Sequence, residues 1–316
     1  MSKIPSVNLG EYISKDPNKK QNFINQIGKA YEEIGFVALS GHFLDDQLVK
    51  QLYAEVKHFF ELPVETKQQY EIPGIGGQRG YISFGKESAK GKKEGDLKEF
   101  WHFGQYVENN PAFEKEYPSN VTVSELANFN TTGKEAYKML EKTAKYVLRA
   151  LALHLNLEET YFDSFIYNGN SILRPIHYPP ITSEPKEAVR AAAHGDINLI
   201  TLLMGAQGKG LQVQNNSGEW LDAIAQPDEL MINVGDMLSR LTNNKLKSTI
   251  HRVVNPPKAH MGVSRYSIPF FMHPVSEMPL NVLDNCIDKD HPKQYEDITA
   301  GEFLNERLIE LGLIKK

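Results

Sequence analysis

The chain has 316 residues, 41% of them hydrophobic and 10% aromatic, enough for one large domain or two intimate ones around a sizeable core. Its 35 Lys and Arg against 40 Asp and Glu leave a formal charge of −5, and an acidic chain lacks the positive field that phosphate-backbone binding needs. A single cysteine, Cys286, excludes a disulfide framework and any zinc site of four cysteines or of three cysteines and a histidine, so a transition metal must be held by the ten histidines and the carboxylates.

Met1 to Asn8 carry one cation and a proline and lack the apolar stretch of a signal peptide. No window reaches the roughly 18 uninterrupted apolar residues of a membrane span; the richest, Tyr146 to Leu157, holds Arg149 and His154. With one cysteine suiting a reducing compartment, the expectation is a soluble cytoplasmic protein.

Phe23, Ile24, Ile27, Ala30, Tyr31 and Ile34 fall three and four apart and predict an amphipathic helix over 18–34, stopped by Gly35. Phe36-Val37-Ala38-Leu39 reads as a short buried strand. Leu44, Leu48, Leu52, Val56, Phe59 and Phe60 predict a second helix over 44–61, stopped by Pro63. The glycine cluster Gly74 to Gly80 does not match G-x-G-x-x-G and follows a helix rather than a strand, so it reads as a loop and not a nucleotide cradle. Lys86 to Lys98 mixes five lysines with Glu87, Glu94 and Asp96, which suits a solvated loop or a lid. A third helix starts at Ser124 as N-cap and runs through Met139, Leu140, Val147, Leu148, Leu151 and Leu155, with Gly133 as a point of bending or breakage.

From about residue 170 the texture turns to strand. Short β-branched and aromatic runs occupy 170–178, 189–194, 198–204, 211–215, 219–223, 229–234, 248–254 and 265–273, a spacing that suggests a β-sandwich or barrel. A last helix is predicted over 299–311, with Thr299 as N-cap and Glu302 in capping-box position. Cys286 has no neighbour that would lower its thiol pKa and reads as a bystander.

Only one histidine has a carboxylate two residues on, in His194-Gly195-Asp196. On a strand, residues i and i+2 share a face, so both side chains can reach one metal. His251 lies on another predicted strand, and two imidazoles with one carboxylate form the facial triad of non-haem Fe(II) oxygenases. Arg265 and Ser267 are again i and i+2, a guanidinium fork and a hydroxyl suited to a carboxylate. Tyr178 ends a strand just upstream of the triad.

The order H-x-D, H, R-x-S resembles the iron- and 2-oxoglutarate-dependent dioxygenases of the isopenicillin N synthase-like branch. Asn233-Val234-Gly235-Asp236 resembles that branch's "NxGD" segment, Lys247-Ser248-Thr249-Ile250-His251-Arg252-Val253-Val254 its strand around the second histidine, and Gly210-Leu211-Gln212-Val213 its "GLQV" strand. Ile4 to Leu9 and Gly35 to Leu39 resemble its N-terminal region, so the likeness covers nearly the whole chain.

The resemblance implies a mixed α and β fold with a mainly β core, a double-stranded β-helix or jelly roll with flanking N-terminal helices and a C-terminal helix. It divides the chain into an N-terminal region (1–118), connecting long helices (119–168), the jelly-roll core (169–275) and a C-terminal extension (276–316). It implies His194, Asp196 and His251 as iron ligands, Arg265 and Ser267 as the clamp on the far carboxylate of 2-oxoglutarate, and Tyr178 as a further contact. Fe(II), 2-oxoglutarate and O2 would be used, with ascorbate as a candidate reductant, to hydroxylate or desaturate a small organic molecule with release of succinate and CO2. The ligands must be deprotonated to bind, so activity is expected to fall as pH drops through the histidine pKa values.

Two departures stand out. Many plant relatives carry threonine where Gly195 stands, and glycine there would widen the site. Many also carry asparagine where Ile176 stands, which removes one polar contact to the cosubstrate. The expected partner is a small-molecule substrate, with no nucleic acid and no membrane; oligomeric state is left open.

Candidate substrate walls are Tyr81, Phe84, Trp101, Phe103 and Phe271, with ordinary core packing as the other reading of each. His102 reads as a core histidine; His177 alternates away from Tyr178 and could line the cavity edge. His42, His58, His154, His260, His273 and His291 have no chemical partner in the sequence. Two other functions stand beside the first: a same-fold Fe(II) oxidase that does not use 2-oxoglutarate, and a non-catalytic jelly-roll small-molecule binding protein, against which the intact triad argues.

Overall fold

The apolar spacing of the first half folds into helices where it predicts them. The computed structural model describes residues 4–86, 96–107, 110–181, 189–204 and 210–310. Residues 1–3, most of the lysine-rich segment (87–95) and the end of the last predicted helix lie outside the described residues. Helix Pro17–Glu33 starts on Asp16, whose carboxylate accepts from the N–H groups of Asn18 and Lys19. It ends before Gly35, whose φ of +70° stops the helix and turns the chain into a strand. Helix Asp46–Glu61 is capped by Asp45, which accepts from Leu48 N–H at 2.7 Å. Both bury the predicted apolar stripe.

The third helix departs from expectation at two points. It begins at Ala127 without a side-chain cap, because Ser124 is engaged with the Tyr70 hydroxyl at 2.8 Å and with Glu125. It then runs unbroken to His154 through Gly133. Glycine is there for space: a Cβ would stand 2.3 Å from Cζ of Phe103. The last helix, Ala300–Glu310, carries the expected capping box, Thr299 N–H to Glu302 Oε2 at 2.9 Å and Glu302 N–H to Thr299 Oγ1 at 3.3 Å.

The first six strands are β1 (Ser6–Asn8), β2 (Phe36–Ser40), β3 (Gly80–Ile82), β4 (Glu99–Gly104), β5 (Ile172–Leu173) and β6 (Ile176–Tyr178). The rest are β7 (Ala191–His194), β8 (Ile200–Met204), β9 (Leu211–Gln214), β10 (Trp220–Asp222), β11 (Leu230–Val234), β12 (His251–Val253) and β13 (Arg265–Met272). Each predicted strand run contains at least one of them. The run 170–178 is split at Arg174-Pro175, since proline has no N–H for the ladder.

The major sheet runs β1-β2-β11-β8-β13-β5-β4-β3, with β6 bridging β13 and β4; the minor sheet runs β10-β9-β12-β7. Between them Phe36 and Ala38 of β2 and Met231 of β11 pack on Val213 of β9. The outer face of the major sheet takes the helices: Ile268, Phe270 and Met272 of β13 join the main core with Leu140, Val147 and Leu151. Strand alternation therefore turns Arg265, Ser267, Pro269 and Phe271 into the sandwich. The result is the jelly-roll core with flanking helices implied by the resemblance. Among the described residues no helix is long and apolar enough to cross a membrane.

Candidate active site

β7 ends on His194 and β12 begins on His251, and the two are direct cross-strand partners with ring centroids 4.5 Å apart. Asp196 follows where the chain leaves the minor sheet. Its Oδ1 lies 3.9 Å from His194 Nε2 and 3.8 Å from His251 Nε2. One ligand atom from each of the three falls within 4.8 Å of the others, and this is the one such group found among the described residues.

The atoms facing away from the cluster fix its orientation. His194 Nδ1 is 2.7 Å from the Ala192 carbonyl, and His251 Nδ1 is 3.2 Å from that of Thr249. A carbonyl can only accept, so each Nδ1 carries a proton, and in the neutral ring each Nε2 offers its lone pair inward. Asp196 Oδ2 accepts from Thr201 Oγ1 at 2.6 Å and Asn233 Nδ2 at 2.8 Å, which leaves Oδ1 for a metal. Two neutral nitrogens and one carboxylate oxygen on one side of a point are a donor set that fits Fe(II).

Burial alone would raise the Asp196 carboxyl, but His251, His194, Asn233 and Thr201 outweigh it and hold its pKa below the usual range. The His194 side chain keeps 45% of its surface open to the cavity, yet sits deep in the fold. That burial, with the adjacent His251, lowers its pKa to about 4. Its imidazole is therefore neutral and able to ligate well below the ordinary histidine range.

The expected anion clamp lies on the facing sheet. Arg265 is paired in register with Tyr178, and its guanidinium carbon is 5.0 Å from the centre of that ring. Arg265 is 2% exposed, and its Nε and Nη1 have no hydrogen-bond partner. Buried guanidinium donors without an acceptor are costly. Their presence, with buried Ser267 on the same face, fits a carboxylate ligand. Ile176 lies opposite Ser267 and packs with Ile82, Phe100 and Tyr178, so an apolar patch stands where an asparagine was noted as absent.

The five proposed wall residues divide. Phe271 lies on the cavity face, beside Thr201 in register and 5.0 Å from the Arg174 guanidinium. Trp101 and Phe103 lie in the main core against Phe59 and Phe129. Tyr81 is buried with its hydroxyl on Glu99, and Phe84 is 51% exposed. On β4 the helices take Trp101 and Phe103, so alternation turns Phe100 and His102 to the other face. There Arg174 stacks on Phe100 at 4.5 Å and donates from Nε to His102 Nε2, while His102 Nδ1 donates to the Gly77 carbonyl at 2.7 Å. His273 joins this side: burial lowers its pKa to about 4, with Asp196 and Arg174 near enough to act on it.

Three further readings change with the structure. His177 forms part of a buried network, donating from Nδ1 to Glu99 at 2.7 Å. Asp96 and Lys98, read as solvated, form a buried ion pair at 2.9 Å. A Cβ on Gly195 would meet Asp236 and Ser248 at 3.2 and 3.3 Å, so the room that glycine opens faces away from the triad. Sequence reading gave no role to Thr201 and Asn233, the partners of Asp196 Oδ2, and passed over the buried Arg190. Asn233 stood inside the quoted "NxGD" segment, and Arg190 was a lone cation in the apolar run Val189 to Ala193.

Residues 4–125 match the family described as non-haem dioxygenase in morphine synthesis, N-terminal, and residues 169–274 match the 2OG-Fe(II) oxygenase superfamily. A 2-oxoglutarate-Fe(II) type oxidoreductase of Emericella nidulans is 30% identical over 95% of this chain and 88% of its own length. A proline hydroxylase of Petromyces alliaceus is 28% identical over 95% of this chain and 97% of its own.

Among solved structures, a 2OG-Fe(II) oxygenase family protein from Caulobacter crescentus superposes with a TM-score of 0.90 at 44% identity, covering 98% of this chain and all of that one (100%). A full-length Neurospora crassa protein in complex with alpha-KG and thymine superposes with a TM-score of 0.84 at 29% identity, covering 97% of this chain and 96% of that one. The chain belongs to the 2OG-Fe(II) oxygenase superfamily and is a 2-oxoglutarate- and Fe(II)-dependent oxygenase.

Proposed function

We propose that His194, Asp196 and His251 hold Fe(II), that Arg265, Ser267 and Tyr178 hold the far carboxylate of 2-oxoglutarate, and that the chain hydroxylates or desaturates a small organic molecule. The observation that carries this is the pairing of an inward-facing N, N, O donor set with a buried guanidinium whose donors lack an acceptor. Bound Fe(II) supplies the O2 chemistry that couples decarboxylation of 2-oxoglutarate to succinate and CO2 with oxidation of the substrate. The Ala192 and Thr249 carbonyls hold the imidazole tautomers, and Thr201 and Asn233 hold the carboxylate. Arg265 orients the cosubstrate through a fork in a buried pocket, where a charge-assisted bond is stronger than in water.

The cavity wall of Phe100 and Phe271 on either side of Arg174, with His102 and His273 near, suits a small substrate with a flat or apolar body and a polar edge. Thymine, bound in the Neurospora crassa complex, is a ligand of that kind. The cytoplasm is the proposed compartment and ascorbate the proposed reductant. Anaerobic protein with Fe(II) and 2-oxoglutarate should show a weak visible charge-transfer band, and a succinate-release screen over nucleobases, amino acids, phenolics and short peptides should find a substrate. Absence of both the band and any 2-oxoglutarate turnover would sink the proposal.

A further inference from the structure

Beside Arg265 stands a second buried cation that has no part in the proposed clamp. Arg190 opens the chain into β7 and is 3% exposed. Its backbone N–H donates to Asn255 Oδ1 at 3.0 Å, and its Nη2 donates to the Val263 carbonyl at 3.2 Å. Those contacts fix its position without neutralising it. Its Nε is buried with no acceptor, and no carboxylate pairs with it among the described residues. Its guanidinium carbon is 5.8 Å from the centre of the Tyr178 ring, the same ring that Arg265 approaches to 5.0 Å. Arg190 from the minor sheet and Arg265 from the major sheet thus converge on one tyrosine.

Two like charges buried together repel, and each is expensive without an anion. Burial lowers the Arg190 pKa, and the charge of Arg265 adds to the effect. Three unsatisfied guanidinium nitrogens, Nε of Arg190 with Nε and Nη1 of Arg265, remain buried beside Tyr178. Stacking on Tyr178 relieves part of the cost, but it supplies no acceptor.

We propose that Arg190 is a second anchor for the far carboxylate of the cosubstrate, so that the pocket selects a 2-oxo dicarboxylate through two guanidinium groups rather than one. The inference rests on the proposed use of Arg265 as carboxylate clamp. It adds a specificity-determining residue, since a 2-oxo monocarboxylate of the same length would leave both cations uncompensated.

The test compares binding of 2-oxoglutarate and 2-oxopentanoate, which lacks the far carboxylate, to the anaerobic Fe(II)-loaded full chain by calorimetry. Arg190→Leu should weaken 2-oxoglutarate binding by about tenfold or more while leaving 2-oxopentanoate within about twofold. Arg190→Lys keeps the charge but loses the fork and should show a smaller loss, again confined to the dicarboxylate. The metal-free Arg190→Leu protein should unfold at the same temperature as wild type or higher, because an unpaired buried cation has gone. Equal weakening of both acids in either variant would assign Arg190 a packing role and overturn the proposal, as would unchanged 2-oxoglutarate binding. Failure of the wild type to bind 2-oxoglutarate would overturn the clamp reading as well.

Discussion

At the triad end of the cavity, the protein satisfies the atoms that do not ligate. Both Nδ1 atoms have backbone carbonyls, and Asp196 Oδ2 has Thr201 and Asn233. At the guanidinium end, Arg265 and Arg190 are as deeply buried, yet three of their nitrogens have no partner. On the proposed assignment, the difference follows from what each end would hold. A metal needs ligands fixed in tautomer and direction before it arrives, which neighbouring backbone and side chains can do. An anion supplies the acceptors itself, so a pocket built for it shows unsatisfied donors without it. Satisfied polar atoms mark the proposed metal end, and unsatisfied ones mark the proposed anion end.

Removing Asp196 should break this contrast most strongly. Structural zinc sites gain about 10–16 kcal/mol from four ligands, so one ligand is worth roughly 3–4 kcal/mol. Asp196→Ala should lower Fe(II) affinity by about a few hundredfold and abolish 2-oxoglutarate-dependent succinate release. Fe(II) titration by calorimetry under anaerobic conditions reads the first effect. The variant also leaves the Thr201 hydroxyl and Asn233 amide without their acceptor, at a stability cost of about 1–3 kcal/mol, which denaturant unfolding of the metal-free protein measures.

Arg265→Leu should act at the other end and in the opposite sense on stability. Losing charge-assisted bonds of about 2–3 kcal/mol should weaken 2-oxoglutarate binding roughly thirty- to a hundred-and-fiftyfold. Fe(II) affinity should hold, because Arg265 lies on the facing sheet and touches no triad residue. The ligand-free protein should keep or gain stability, since the donors lost were unpaired. A fall in ligand-free stability would show that the unpaired donors are not the burden described.

The same contrast explains what was legible in the sequence. His194 and Asp196, and Arg265 and Ser267, were readable because a spacing of two on a strand fixes a shared face without any knowledge of the fold. The two faces of β4 were not. All six residues of β4 are buried, so Phe100-Trp101-His102-Phe103 shows no alternation of polarity to reveal which face is which. That choice is made by Phe59 and Phe129, which arrive from two distant helices. Likewise Ser124 looked like an N-cap, but Tyr70, distant in sequence, claims its hydroxyl. Jelly-roll architecture was legible from strand spacing and the ordered motifs together; β3 and β4 were passed over because short, wholly buried strands carry no period.

A third polar cluster offers an intermediate case. Glu99 accepts from Lys67 Nζ at 2.8 and 3.1 Å, from His177 Nδ1 at 2.7 Å and from Tyr81, all buried. Burial alone would raise the Glu99 carboxyl, but His177, Lys67 and Tyr81 outweigh it and lower its pKa. A carboxylate with a depressed folded-state pKa adds stability that is complete above its unfolded value of about 4.3 and lost as pH falls through the folded value. Glu99→Gln, which leaves Lys67 uncompensated, should cost about 2 kcal/mol at pH 7. Urea unfolding across pH 3–7 should show the deficit shrinking below pH 4; a deficit independent of pH would mean the carboxylate charge is not what the network uses.

Gly195 gives the smallest expected effect and the sharpest check on which face of the minor sheet reads the metal. Its neighbours His194 and Asp196 point inward, so alternation sends position 195 outward. A Cβ there would meet Asp236 Oδ1 at 3.2 Å and Ser248 Oγ at 3.3 Å, two atoms already joined by a hydrogen bond of 2.6 Å. That approach is tight, and the pair would have to shift by a few tenths of an ångström. Replacing glycine by alanine also removes backbone freedom from the unfolded chain, which stabilises by about 0.4–1 kcal/mol where the native conformation permits a side chain. Gly195 has no positive φ to forbid one. The two contributions oppose each other, so Gly195→Ala should change stability by less than about 1 kcal/mol. Fe(II) and 2-oxoglutarate affinities should stay within about twofold of wild type, because the added methyl lies behind the ligands rather than among them. A tenfold loss of Fe(II) affinity in a variant of unchanged stability would place the side chain at 195 inside the cavity and reverse the assignment of the two faces.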